Sequence, residues 1–65
     1  MRVFKYENDI VVLNEVRQIE LDIHSDVHAV MRFHFPEQIV SVHFNDVEKA
    51  NTAYYIAYSL LKKEG

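Results

Sequence analysis

The sequence predicts an α+β domain: a two-layer arrangement in which an antiparallel meander of four or five strands carries one C-terminal helix on one face. Three observations predict it. Ala29 to Phe35 alternates, with Ala29, Met31, Phe33 and Phe35 apolar and Arg32 and His34 polar between them. That is the period of two of a strand with one buried and one wet face. Val16 to Ile23 and Val40 to Phe44 alternate in the same way. From Val47 the period changes, and Val47, Ala50, Tyr54, Ala57 and Leu61 recur at spacings of three and four, the stripe of an amphipathic helix.

Taken in order, Arg2 to Tyr6 alternates as a first strand. Glu7-Asn8-Asp9 is turn chemistry, because Asn and Asp make local side-chain bonds and tolerate the left-handed region. Ile10 to Leu13 is a largely β-branched run, and Asn14-Glu15 interrupts it as a tight turn or a bulge. Residues 10–23 therefore read either as two strands or as one long strand bent near Asn14. His24 to His28 reads as a turn. Pro36 ends the next strand, since it has no ladder donor. Asn45 is the expected helix cap, with Glu48 three residues on as in a capping box. Lys62 and Lys63 in the last turn suit the helix dipole, and Gly65 follows. The whole chain, 1–65, is one domain, with the sheet over about 2–44 and the helix over about 46–63.

Parity selects the register, because a one-residue slip moves a strand's whole apolar set to the other face. A loop of Pro36 to Ile39 pairs Phe35 with Val40, Phe33 with Val42 and Met31 with Phe44. A loop of Ser25 to Val27 pairs Ile23 with Ala29, Leu21 with Met31 and Ile19 with Phe33, sets His24 opposite His28 and sets Glu20 opposite Arg32. A two-residue turn at Asn14-Glu15 pairs Ile10 with Ile19. A loop of Glu7 to Asp9 pairs Phe4 with Val12 and Tyr6 with Ile10. The expected core is then Phe4, Tyr6, Ile10, Val12, Ile19, Leu21, Ile23, Met31, Phe33, Phe35, Val40, Val42 and Phe44, under the helical stripe.

Size makes such a domain marginal. A chain of 65 residues buries only about 60% of its unfolded surface, so it leans on a dense core, a metal or self-association. The absence of cysteine excludes disulfides and Cys-based zinc. Four Phe and four Tyr in a 49% hydrophobic composition make a dense core feasible and exclude disorder. The net charge of −3 is dispersed, which argues against a nucleic-acid binder, whose affinity rests on phosphate neutralisation. No apolar run approaches the roughly 20 residues that span a bilayer, and the N-terminus lacks the apolar block of a signal peptide. A cytoplasmic protein is the expectation, and Met1 with a compact pattern suggests a whole small one.

The chemistry-bearing residue types form no reactive constellation in the sequence. Ser25, Asp26 and His28 have the types of a hydrolytic triad, but neighbours in one turn cannot supply base and orienter from separate elements. Glu20 and Asp22 share an open strand face, with no cleft to shift them into acid and base roles. No phosphate loop or nucleophile elbow is present. A non-enzymatic protein is expected. His24 and His28, with Asp22 and Asp26, could hold a divalent ion as a His/His/carboxylate set. Their spacing matches no established motif, and no metal or other cofactor is assigned. Tyr54, Tyr55 and Tyr58 could stack on bases, yet only Lys62 and Lys63 cluster basic charge.

Surface patterning points instead to contact with protein. The sheet's open face has a polar half, which includes Arg32 and His34, and an apolar half of Val3, Val11, Leu13 and Val16. Aliphatics grouped on a nominally wet face suggest a contact surface. Tyr55 and Ile56 fall outside the helix's core stripe, and Tyr58 lies at its edge. These residues make a homo-oligomer the expectation, a dimer first, with another protein partner as the variant. The contrary possibility is that the sheet curls, or the N-terminal strand shifts, and covers the patch within one chain.

The run Val12-Leu13-Asn14-Glu15-Val16-Arg17-Gln18-Ile19-Glu20-Leu21, then Phe33-His34-Phe35, Val42-His43-Phe44 and a helix opening Asn45-Asp46-Val47-Glu48-Lys49-Ala50, is similar to small uncharacterised bacterial and phage or prophage proteins. These have a few antiparallel strands and one C-terminal helix. The resemblance is one of layout, covers most of the chain and implies no catalytic residue. It implies an accessory or regulatory protein acting by protein contact. The expected function is therefore a protein–protein interaction or regulatory module, with a metal- or nucleic-acid-responsive regulator as the alternative.

Overall fold

A computed structural model describes residues 2–62. The fold is α+β, with antiparallel strands β1 (Val3–Tyr6), β2 (Asp9–Val12), β3 (Gln18–Ser25), β4 (His28–His34) and β5 (Ile39–Phe44), then helix α1 (Val47–Lys62). The strands form two sheets rather than one meander: a ribbon of β1 and β2, and a sheet ordered β3-β4-β5. The alternating segment Ala29 to Phe35 falls largely on β4, the central strand of the second sheet. Ala29, Met31 and Phe33 are fully buried there.

Between β3 and β4 the register is the expected one, with Ile19 opposite Phe33, Leu21 opposite Met31 and Ile23 opposite Ala29. It departs only at the turn. Ser25 pairs with His28 across an irregularity at His24, so His24 does not face His28 in the ladder. Between β4 and β5 the pairing differs by two residues from the expected one: Phe33 meets Val40, Met31 meets Val42 and Ala29 meets Phe44. A slip of two leaves every side chain on its face, so hydrophobic pattern cannot choose between these registers. The turn chooses: Phe35 N donates to the Gln38 carbonyl at 2.9 Å, and the chain bends at Pro36-Glu37. Arg32 accordingly lies opposite Ser41, and His43 opposite Val30.

The N-terminal ribbon departs most from expectation. Tyr6 pairs with Asp9 around a two-residue turn at Glu7-Asn8, and Phe4 pairs with Val11, not Val12. Glu7 takes the left-handed conformation that this turn needs, at φ 52°. The one-residue shift inverts β2. Ile10 and Val12, expected in the core, are 63% and 43% exposed, while Val11 is buried. Val11, Leu13 and Val16 therefore do not belong to an exposed contact patch; all are core residues, Leu13 completely so. Their burial also separates β2 from β3, so Ile10 does not pair with Ile19. Val16 N donates to the Leu13 carbonyl at 3.1 Å, and Arg17 N donates to His34 O at 2.8 Å. The chain thus turns out of the ribbon and joins β4 as a new strand, and residues 10–23 are two strands and not one bent strand. Covering Leu13 and Val16 within the chain removes apolar area that an extended meander would leave wet.

The ribbon and α1 lie beside each other over the core face of β3-β4-β5. The Phe4 ring meets Phe33 at 5.4 Å and the Tyr6 ring meets Phe44 at 4.4 Å. Ala50, Ala53 and Ala57 form the buried stripe of α1, and their small side chains let the helix approach the sheet. Tyr54, Leu60 and Leu61 are partly buried beside them. The cap is Asp46 and not Asn45: Asp46 Oδ1 accepts from Glu48 N at 2.9 Å, and its carbonyl accepts the first helical bond from Ala50 N. Val47 N donates to the Asp26 carbonyl at 3.2 Å, which ties the helix start to the β3–β4 turn. At the other end Arg2 Nη1 donates to the Leu61 carbonyl at 2.8 Å. Lys63 and Gly65 lie outside the described residues. Ile23, also expected in the core, is half-exposed at the end of edge strand β3.

Candidate interaction surface

The face of β3-β4-β5 turned away from α1 is polar and internally paired. Arg32 Nη2 donates to Asp22 Oδ2 at 3.2 Å, and His34 Nε2 lies 2.7 Å from Glu20 Oε1. Glu20 and Arg32 are opposite in the ladder, yet each bonds a diagonal neighbour, a reach that long side chains have across adjacent strands. These links span β3 and β4 and shelter Val30, which is buried on this otherwise wet face. Arg32 and His34, expected as contact residues, are thus partly committed to partners within the chain.

All four histidines lie at this face or its end. His24, His28 and His43 form a row: the first two rings stack with centroids 4.9 Å apart, the second two at 5.9 Å. His24 Nε2 is 3.5 Å from Asp22 Oδ2. Stacked rings turn their faces, not their nitrogen lone pairs, toward one another. Among the described residues no group of three His, Asp or Glu side chains is placed to hold a metal ion. Asp26, a member of the expected ligand set, accepts from Val47 N through its backbone carbonyl. Ser25 Oγ accepts from Val27 N at 3.3 Å and so closes its own turn.

The apolar exposure lies elsewhere. On the outer face of the ribbon Val3 sits opposite Val12, and Lys5 opposite Ile10. Val3, Ile10 and Val12 are all exposed there. A groove of about 470 Å³ separates this ribbon from α1, with Val3, Phe4 and Tyr6 on one wall and Ala53, Ile56 and Leu60 on the other. It brings together Val3 and Ile56 from the expected set. Tyr55 and Tyr58 are exposed on α1 away from this groove, at 69% and 41%. Tyr58 stacks on Tyr54 with centroids 6.0 Å apart and carries Lys62 Nζ 5.3 Å from its ring centre.

Ile10 and Val12 are the surface residues that the sequence pattern assigned to the core. The signal that finds them is Leu13-x-x-Val16: if these two are core, β2 parity puts Val11 inside and its neighbours outside. Among the described residues no helix is long and apolar enough to cross a membrane. No protein-family model matches the chain, and no curated protein or solved structure is significantly similar to it.

Proposed function

We propose that this chain is a small, non-enzymatic protein–protein interaction or regulatory module that self-associates. The observation that carries the reading is the outer face of the β1–β2 ribbon, where Val3, Ile10 and Val12 stand exposed together. Exposed aliphatics that neighbour one another across a ladder are a contact surface in waiting, whereas single ones are ordinary. The paired polar face supports the non-enzymatic part. Its carboxylates are engaged with Arg32, His24 and His34 on an open sheet, and among the described residues neither the groove beside α1 nor the smaller pocket at His28 and His43 is lined by Glu20 or Asp22. The reading includes a cytoplasmic location and a bacterial or phage source, which the cysteine-free sequence and the resemblance of layout favour. Sedimentation equilibrium from micromolar to millimolar protein tests it. A concentration-dependent rise in mass is expected, and a monomer throughout would reject self-association.

A second reading, a metal- or nucleic-acid-responsive regulator, would use the row of His24, His28 and His43 only if the stacked rings turned their nitrogens toward an ion or a base. Titration calorimetry with zinc and nickel, and binding of labelled oligonucleotides, would distinguish it from the first.

A further inference from the structure

We propose that the outer edge of β2 is the self-association site, and that its occupant is β2 of a second copy in a two-fold antiparallel pair. The inference rests on the self-association reading and names its surface. It begins with the backbone. Leu13 N donates to the Arg2 carbonyl at 2.8 Å, which makes Arg2 and Leu13 a hydrogen-bonded pair of the ribbon ladder. Such pairs alternate in an antiparallel ladder, so Phe4–Val11 and Tyr6–Asp9 are hydrogen-bonded as well. The N–H and C=O groups of Ile10 and Val12 then point away from β1. Among the described residues no other strand pairs with β2, and these groups meet no side-chain or turn partner.

Past Asp9, this short edge carries no charge, bulge or proline. Charged side chains, bulges and prolines blunt exposed edges. On β3 the edge is flanked by Glu20 and Asp22 and broken at His24, and the β5 edge carries Ser41 and His43 on its wet face. On β2, Asp9 stands at the turn, and Ile10 to Leu13 after it is Ile-Val-Val-Leu, an uncharged run. Its β1 counterpart is the other edge of the ribbon, but that edge faces α1 across the groove.

The second copy fits for a geometric reason. A two-fold axis through Val11 sets Ile10 of one chain against Val12 of the other, twice. Both residues present their free backbone groups in this register, so each N–H meets a C=O. The axis keeps both outer faces on one side and builds rows of Val3, Val12, Ile10 of the second copy and Lys5 of the second copy. The aliphatic side chains become cross-strand neighbours. Charge agrees with the direction. The turn end of each ribbon carries Glu7 and Asp9 against Lys5, and the opposite end carries Arg17 and Arg2, the latter bonded to α1 carbonyls, against Glu15, so the two ends differ in sign by a single charge each. Antiparallel pairing brings the acidic end of each copy toward the basic end of the other.

The test compares wild type with Ile10→Lys/Val12→Lys by sedimentation, each checked for fold by circular dichroism. Both positions are exposed, so the variant keeps its core. A dimeric wild type and a folded monomeric variant are expected, while Ser41→Lys on the β5 edge stays dimeric. The register is read by oxidising Ile10→Cys and Val12→Cys proteins, each single-cysteine in a chain that has none. Hydrogen-bonded pairs bring Cα atoms to about 5.5 Å, within disulfide range. Cross-linking should be several-fold greater in the mixture than in either protein alone. A dimeric wild type whose double-lysine variant stays dimeric, or whose mixture gains no cross-link, overturns the β2 edge and leaves self-association standing. A monomeric wild type overturns both, and would leave a strand of another protein as the occupant.

Discussion

Glu7 holds the tight turn of the ribbon at a positive φ that only glycine adopts without cost. Glu7→Gly should therefore stabilise the protein by about 0.5 kcal/mol, the relief being partly offset by a freer unfolded chain. Urea denaturation with an unchanged slope reads it, and a lowered midpoint would show that the turn is not strained. Two neighbours three residues apart report on the inverted strand. Leu13 is fully buried, so Leu13→Ala should cost about 2–5 kcal/mol. Ile10 is 63% exposed, so Ile10→Ala in the monomer should cost less than about 1 kcal/mol. The reverse order would mean that the ribbon is registered on its other face.

At the scale of elements, α1 is held at both ends by named contacts. Asp46 caps its start, and the guanidinium of Arg2 donates to the Leu60 and Leu61 carbonyls in its last turn. Asp46→Ala should cost about 1 kcal/mol by loss of the cap, while Asn45→Ala, with no cap to lose, should be close to neutral. Thermal melts of the two variants check the assignment, and equal losses would return the cap to Asn45. The turn at Pro36-Glu37 acts likewise on β4 and β5. It holds Phe35 against Gln38 and thereby sets which apolar residues face one another, a choice that their spacing leaves open.

For the whole molecule, the two layers meet through Phe4 on Phe33 and Tyr6 on Phe44. Phe33 is wholly buried at the centre of that contact. Phe33→Asp places an unpaired charge there and should abolish folding, seen as loss of the far-ultraviolet dichroism. A folded variant would invert the assigned faces. Folding of the ribbon onto the sheet also redistributes what is exposed. Leu13 and Val16 go inside, and Ile10 and Val12 come out as the apolar surface available to a partner.

The sequence by itself determined the element types, the face of each strand in β3-β4-β5 and the stripe of α1. Each of these follows from a period of two or of three to four, set by backbone geometry that any strand or helix shares. It also determined the pairing of Ile19 with Phe33 and Leu21 with Met31, where a short loop and one apolar face leave little choice. Tertiary structure alone decided the rest. Both parities of the ribbon satisfy alternation, because Ile10, Val11, Val12 and Leu13 are all apolar and either pair can be buried. The competition was settled by Val16, distant from the ribbon in pattern but close in space, which joins Leu13 and Val11 in one core. Burial of that set pulled β2 off the sheet, and it left Ile10 and Val12, in place of Val11, Leu13 and Val16, as the aliphatics exposed beside Val3.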